Sequence, residues 1–177
     1  MQIVKYGLTL QRLEVSYLEL VRIWRNADHV RCNMQFQQLI TPQMQLEWFQ
    51  SLNVSQHQYF VIKKDAIAFG VVNLKDIDDE LRTAEAGIFI GITAYLDSIM
   101  PFLATISLME YAFETLKLKS LKAKINITNT KAIHFNQSIG YKKAEQQEDE
   151  LFHYYTVTHA DFSEATEKWR GMLQKLN

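Results

Sequence analysis

Apolar residues in the first third of the chain recur at every second position and then at helical spacing. Residues 8–14 alternate between apolar and polar side chains, which predicts a strand. Ser16 is expected to cap a following helix, with Glu19 completing a capping box. A second helix is predicted to begin at Thr41-Pro42, because proline is favoured at the first helical position. The apolar faces of these helices consist of Tyr17, Leu20, Val21 and Trp24, and of Trp48, Phe49 and Leu52.

The remaining sequence predicts five strands and three helices. Lys64-Asp65 suits a tight turn that joins two of the strands as a hairpin. Pro101 is expected to be the first residue of a long apolar helix, and Gly140 suits a left-handed cap that ends the next helix. The predicted strands are 58–63, 67–74, 84–92, 121–127 and 151–158, and the predicted helices are 101–116, 130–139 and 164–176.

This order of elements predicts an α/β fold built on a central mixed sheet. The strands at 84–92 and 121–127 flank a helix, so they should lie parallel and be joined by a right-handed crossover. The earlier strands follow one another through short turns and should be antiparallel, with helices covering both faces of the sheet. The chain of 177 residues has no linker rich in Pro, Gly or Ser, so residues 1–177 are expected to form a single domain.

Composition argues against several classes of function. The formal net charge of −1 gives no overall field that would attract nucleic acid or an anionic membrane. No apolar run approaches the roughly 20 residues of a membrane-spanning helix. Cys32 is the single cysteine, which excludes an intrachain disulfide, and it is expected to be a small buried side chain. The sequence also lacks a metal-binding pattern of His, Cys and Asp. Because a single cysteine suits a reducing compartment, we expect a cytoplasmic protein.

Five short strings, taken in order, resemble one enzyme family. They are LVRIWRN at 20–26, GVVNL at 70–74, AEAGIFIG at 84–91, NTKAI at 129–133 and IGY at 139–141. Their order and spacing are similar to those of the GCN5-related N-acetyltransferases. Within that superfamily they are nearest to the branch that acetylates nucleotide-linked amino sugars, such as the pseudaminic acid pathway enzymes.

The resemblance implies an acyl-CoA-dependent N-acyltransferase that uses acetyl-CoA or another acyl-CoA as co-substrate and needs no metal. A small-molecule primary amine, on a nucleotide-linked amino sugar, would attack the thioester directly. In the family, the strand before the main helix separates from its neighbour, and the pantetheine arm lies in the gap. The pyrophosphate lies on the loop at the start of that helix, where free N–H groups bind anions. By resemblance, the cofactor-binding residues are Phe89, Ile90, Gly91, Leu96, Asp97, Ser98, Ile99, Met100, Pro101, Phe102, Asn129 and Lys131.

The resemblance also points to catalytic and substrate-binding residues, and each has a second interpretation. Glu85 could deprotonate the amine or could be a structurally paired carboxylate. Asn129 could contact the cofactor, cap a helix, or do both. Arg25 could pair with a substrate phosphate or lie at a solvated helix end. The remaining candidates are Asn26, His29 and Tyr154 for the substrate, and Asn136 at the position of a catalytic tyrosine.

Two departures from the family pattern leave a non-catalytic alternative open. Leu96, Ile99 and Pro101 occupy the positions of the Gln or Arg and the two small residues of the pyrophosphate loop. Proline lacks an N–H, and no Lys or Arg occurs between Gly91 and Glu114. Asn136 can donate a hydrogen bond but cannot supply a proton. The same scaffold could therefore be a binding or regulatory module that has lost conventional CoA binding.

Overall fold

A computed structural model describes residues 1–147 and 149–173. Its strands are β1 (Gln2–Lys5), β2 (Leu8–Arg12), β3 (Gln58–Lys64), β4 (Ile67–Asp78), β5 (Thr83–Ile90), β6 (Ser120–Asn126), β7 (Lys142–Lys143) and β8 (Phe152–Thr158). Its α-helices are α1 (Leu18–Asn26), α2 (Asp28–Arg31), α3 (Pro42–Ser51), α4 (Met100–Glu110), α5 (Thr130–Ser138) and α6 (His159–Leu173). Within the described residues, these strands form one sheet in the order β1-β2-β3-β4-β5-β6-β8-β7.

Helices cover both faces of this sheet, as the alternation of buried residues along β4 shows. Val72 and Leu74 belong to the larger core, which α4, α5 and α6 cover. Val71, the residue before Val72, belongs to a second core that includes residues of α1 and α3. Successive side chains of a strand point to opposite faces, so these helices lie on opposite sides. The predicted α/β class with a mixed sheet is confirmed.

The parallel pair β5–β6 is shorter than either of its strands. Its register joins three residue pairs, Thr83 with Ser120, Ala84 with Leu121 and Glu85 with Lys122. Beyond them, among residues 1–147 and 149–173, β5 continues to Ile90 paired only with β4, and β6 continues to Asn126 paired only with β8. The two central strands therefore separate after Glu85 and leave a gap in the middle of the sheet.

Helix α4, which faces this gap, is held by a buried carboxylate. Glu110 is 2% exposed and accepts hydrogen bonds from the Tyr6 hydroxyl at 2.8 Å and from Arg170 Nε at 2.8 Å. Lys5 forms an ion pair with the same carboxylate. Because the partners lie on β1, on the turn after it and on α6, the carboxylate ties α4 to the sheet edge and to the last helix.

The predicted start of α1 is wrong, whereas that of α3 is confirmed. Ser16 lies within a 3-10 turn, Val15–Tyr17, and α1 begins at Leu18 with no side-chain cap. The Glu19 carboxylate, expected to complete a capping box, instead accepts hydrogen bonds from Arg22. The Thr41 hydroxyl does cap α3, since it accepts from the Met44 N–H at 3.2 Å.

Other differences concern elements that carry little periodic signal. The sequence pattern did not predict β1, α2 and β7, which span two to four residues each. Pro101 is the second rather than the first residue of α4, and the predicted helix 101–116 ends at Glu110 in a π-helical turn, Tyr111–Thr115. Helix α6 begins earlier than predicted, and residues 174–176 of that prediction lie outside the described residues.

Cys32 is exposed, not buried. Gly140 has the expected positive φ, +100°.

Among the described helices, none combines the length and the apolar character that crossing a membrane requires.

Gly91, at the end of β5, is required by close packing. A Cβ atom at this position would lie 2.1 Å from Cγ of Trp24, the buried indole of α1. The Gly91 N–H also donates to the Phe69 carbonyl on β4 at 2.8 Å. The absence of a side chain therefore lets α1 pack directly on the sheet beside the gap.

We expect Gly91→Ala to lower the free energy of unfolding by about 1–3 kcal/mol, the usual cost of overpacking a core. Urea denaturation measures this change. Gly171→Ala is the matched control, since Gly171 lies on a helix and a Cβ there meets no atom of the described residues within 4 Å. This control should be neutral or more stable by up to about 1 kcal/mol. Equal stability of Gly91→Ala and the wild type would contradict the packing argument.

Candidate active site

A cavity of about 600 Å³ occupies the gap and reaches both faces of the sheet. The α1/α3 side contributes Arg25, Trp48 and Tyr59, together with the loop residues Met34 and Phe36. The α4 side contributes Thr105, Leu108 and Met109. Ligands that enter from opposite faces could therefore meet in the gap.

The gap-facing edge of β5 offers unpaired backbone groups. The Gly91 N–H is directed towards β4, where it donates to Phe69. Because successive backbone groups of a strand point to opposite sides, the N–H groups of Ile88 and Ile90 are directed into the gap. The Ile90 carbonyl oxygen lies 3.1 Å from Nε2 of His29 and is therefore already paired, whereas Ile88 lines the cavity. An extended ligand with amide groups could pair with this edge as an added strand does.

Glu85 lies where the strands begin to separate, on the face covered by α1 and α3. Its carboxylate lines the cavity and is 2.8 Å from Nζ of Lys75, the residue opposite it on β4. Burial, followed by the charges of Asp76 and Glu85, raises the pKa of Tyr59 to about 12. The carboxylate is thus both structurally paired and placed at the site, so the two interpretations of Glu85 are compatible.

Arg25 brings a positive charge into the same part of the cavity. Its guanidinium lies 5.9 Å from the centre of the Phe89 ring. Nη1 is buried and has no hydrogen-bond partner among the described residues. Burial lowers the pKa of Arg25. A solvated helix end is therefore not its environment, and its unused donors suit an anionic ligand.

The other two substrate candidates near the end of α1, Asn26 and His29, have structural partners. The Asn26 amide donates to the Ile40 carbonyl at 2.9 Å and accepts from the Ile40 N–H at 2.8 Å, which fixes the loop between α2 and α3. His29 is bound to the Ile90 carbonyl, as described above. Neither residue is part of the cavity wall, so both position elements around the gap.

Two asparagines of α5 lie on the cavity wall. Asn129 caps the helix by accepting from the Ala132 N–H at 3.1 Å, and it also faces the cavity. Both interpretations of Asn129 are thus compatible with its position. Asn136, at the position of the family's tyrosine, donates to the Ala132 carbonyl at 2.8 Å. Its carbonyl oxygen remains available, but no proton donor replaces the tyrosine there.

The loop before α4 leaves the gap open. Residues 96–99 are exposed, and Met100, Pro101 and Phe102 are partly exposed. Ile99 and Met100 are absent from the cavity wall, so they do not plug the gap. Phe102 packs edge-on against Trp169 of α6, with ring centroids 5.8 Å apart. Lys131 reaches this loop from α5 and lies 3.3 Å from Asp97.

The structure adds cavity residues that sequence reasoning missed. Lys124 on β6 lines the cavity and forms an ion pair of 3.1 Å with Asp149. Tyr141 also lines it, and burial raises the pKa of its phenol. Tyr154 is not part of the wall, and its neighbour Tyr155 is the buried tyrosine of the last strand. Lys124 is close in sequence to Lys117, Lys119 and Lys122, and only the alternation along β6 could have distinguished it from them.

The family described as acetyltransferase (GNAT) domain matches residues 8–142. A comparison with curated proteins gives no match.

Solved structures with the same fold share little sequence with this chain. Spermidine N-acetyltransferase from Vibrio cholerae, in complex with CoA and spermine, is 18% identical with a TM-score of 0.78, covering 88% of this chain and 98% of its own. The Campylobacter jejuni N-acetyltransferase PseH is 22% identical with a TM-score of 0.65, and the match covers 86% of this chain and 99% of PseH. An uncharacterised protein from Bacillus halodurans is 14% identical with a TM-score of 0.81, and the match covers 98% of this chain and 97% of that protein. At these identities the likeness establishes the fold.

The hydroxyl of Thr105, on the cavity wall, differs from the two buried hydroxyls near it in sequence or type because it has no partner among the described residues. The hydroxyls of Ser107 and Thr166 donate to the carbonyls four residues before them, at 2.8 and 2.6 Å. The Thr105 hydroxyl, on the wall of the cavity, is buried without a partner among the described residues. A buried hydroxyl left unpaired costs about 1–3 kcal/mol.

Thr105→Val should therefore raise the free energy of unfolding by about 1 kcal/mol, because it removes this cost without changing the shape. Thr166→Val should lower the free energy by a similar amount, because it removes a buried hydrogen bond. Chemical denaturation of both variants measures the two signs. A loss of stability in Thr105→Val equal to that in Thr166→Val would show that the Thr105 hydroxyl has a partner.

Proposed function

The chain belongs to the acetyltransferase (GNAT) domain family, and from this premise we propose that it transfers an acetyl group from acetyl-CoA to a primary amine. We further propose that the acceptor is anionic, such as a nucleotide-linked amino sugar, and that the reaction takes place in the cytoplasm. The observation that carries the proposal is the separation of β5 and β6 after Glu85, which opens a cavity to both faces of the sheet.

The donor side of the proposal rests on the exposed edge of β5. The pantetheine arm contains two amide groups and is extended, so it fits the gap-facing N–H and carbonyl of Ile88 on the cavity wall. The N–H groups of Ile88 and Ile90, which are directed into the gap, could also polarise a thioester carbonyl there. Small side chains on both sides of the gap, at Gly87 and Ala123, leave room for the arm.

The transfer step needs a base and a leaving group. The amine nitrogen attacks the thioester carbon, the carbon–sulfur bond breaks, and the thiolate leaves with the bonding electron pair. Glu85 receives the proton that the amine loses, directly or through water, because its carboxylate lies on the acceptor face. Asn136 cannot protonate the thiolate, so that proton comes from solvent.

The charges of the cavity wall favour an anionic acceptor. Among the described wall residues the charged side chains are Arg25, Lys75, Lys124 and Glu85. Lys75 is paired with Glu85 and Lys124 with Asp149, which leaves Arg25 as the cation without a carboxylate partner among the described residues. A polyamine would meet repulsion from this wall, whereas a phosphate could bind the unused donors of Arg25. The resemblance of the LVRIWRN segment to amino-sugar acetyltransferases points in the same direction.

The non-catalytic alternative depended on a cofactor site that had been lost. The open gap, the unpaired edge of β5 and the carboxylate at its mouth argue against that loss, since a module without a donor has no need of them. The family match also favours a transferase.

We expect thiol release from acetyl-CoA in the presence of a uridine-diphosphate-linked amino sugar. Because like charges at a binding site cost several kcal/mol, kcat/KM for this acceptor should exceed that for spermidine by about 100-fold. A coupled assay of free thiol with both acceptors measures the ratio. A preference for spermidine would contradict the anionic acceptor, and no turnover with any amine would contradict the transferase.

Arg25→Met should raise KM for the anionic acceptor by about 10-fold or more, which corresponds to one charge-assisted hydrogen bond. Turnover at saturation should change less. Arg12→Met is the matched control, because Arg12 is also half-buried, has its pKa lowered by burial, and lies outside the cavity. An equal effect of both substitutions on KM would exclude a direct role for Arg25.

A further inference from the structure

We infer that this protein recognises its acyl donor through the acyl-pantetheine arm and that the nucleotide half of CoA contributes little to binding. The inference rests on the proposed function and specifies the donor chemistry of the same site. It follows from a comparison of two parts of the structure. The gap can bind the pantetheine arm, whereas the loop at the start of α4 offers little to a pyrophosphate.

The first turn of α4 offers few backbone donors to a phosphate. The Met100 N–H donates to the Ser98 hydroxyl at 3.2 Å, and Pro101 has no N–H. The Leu103 N–H donates to the Ile99 carbonyl at 3.1 Å. Within this described segment, the N–H groups of Ile99 and Phe102 are the donors that remain at the start of the helix. A pyrophosphate normally uses several such groups together.

The charges beside this turn cancel. Lys131 and Asp97 are both more than 80% exposed and lie 3.3 Å apart, so the lysine is already paired with an acid. An incoming pyrophosphate would compete with Asp97 for Lys131 and would be repelled by the same carboxylate. The exposed side chains of Leu96 and Ile99 add apolar surface to the loop, where a phosphate gains no hydrogen bonds.

The arm, in contrast, enters a site that is complete. The gap-facing groups of Ile88 lie between walls formed by β6 and α4, inside the cavity. Recognition there depends on backbone pairing and shape, which do not require the nucleotide. The same arm occurs in CoA and, attached through a phosphodiester, on acyl carrier proteins, so either source meets the requirement of the site.

Isothermal titration without acceptor tests the inference by binding alone, with acetyl-CoA, acetyl-pantetheine and adenosine 3′,5′-bisphosphate as ligands. An exposed helix N-terminus contributes a factor of about 2 to 5, so the Kd values of acetyl-CoA and acetyl-pantetheine should agree within about 5-fold. Adenosine 3′,5′-bisphosphate should not bind at millimolar concentration. A Kd for acetyl-CoA 100-fold below that for acetyl-pantetheine would overturn the inference and leave the transferase intact.

Asp97→Lys provides a gain-of-function variant at an exposed position. It removes the competing carboxylate and adds a cation, so the affinity for acetyl-CoA should rise by about 10-fold while that for acetyl-pantetheine stays constant. If acetyl-CoA and acetyl-pantetheine bind equally well to the wild type and still bind equally well to Asp97→Lys, the loop does not face the nucleotide. That result would overturn the explanation based on the loop.

Titration with a further ligand, acetylated holo-acyl carrier protein, identifies the natural source of the pantetheine arm. Tighter binding of this protein than of acetyl-pantetheine assigns the donor to a carrier, and weaker binding assigns it to free acetyl-CoA. Failure of every thioester to bind would contradict both the inference and the proposed function.

Discussion

The separation of two parallel strands is the constraint on which the rest of the structure depends. A sheet normally satisfies the backbone groups of a central strand on both sides. In this protein β5 pairs with β6 over three residue pairs and then presents Ile88 to a cavity instead of a neighbour. Unsatisfied backbone groups inside a protein are costly unless water or a ligand pairs with them. The gap therefore indicates a binding site before any side chain is considered.

The surrounding elements keep this gap open. On one face, Trp24 packs against Gly91 so closely that no side chain fits, which fixes α1 at the end of β5. On the other face, Glu110 ties α4 to β1 and α6 through three polar partners. The helices thus act as supports on either side, and the charges of Arg25 and Glu85 face the acceptor entrance. The donor and the acceptor would then meet at Glu85, where the strands part.

The sequence predicted the order of the long elements because their periodicity is strong. The mixed sheet, the parallel pair and the positive φ at Gly140 all follow from local patterns of spacing and residue type. The short elements β1, α2 and β7 were missed because two to four residues carry too little periodicity. The prediction of a capping box at Ser16 was wrong, because the Glu19 carboxylate accepts hydrogen bonds from Arg22 instead.

The site was predictable only where the family resemblance supplied a position. Glu85, Arg25, Asn129 and Asn136 do line the cavity, whereas Asn26 and Tyr154 do not. Lys124 and Tyr141 were missed, since their proximity to Glu85 depends on how β5, β6 and the segment after α5 come together in space. Lys131 was expected at the cofactor, and its pairing with Asp97 could not be foreseen from residues 34 positions apart.

Amide hydrogen exchange by NMR tests the central claim most directly. In the free protein, the N–H groups of Ile88 and Ile90 should exchange faster than those of Gly87, Phe89 and Gly91, which are directed towards β4. Addition of acetyl-CoA should slow exchange at Ile88 and Ile90 and leave the other three unchanged. Uniform protection along β5 without ligand, or no change on adding the donor, would contradict the account.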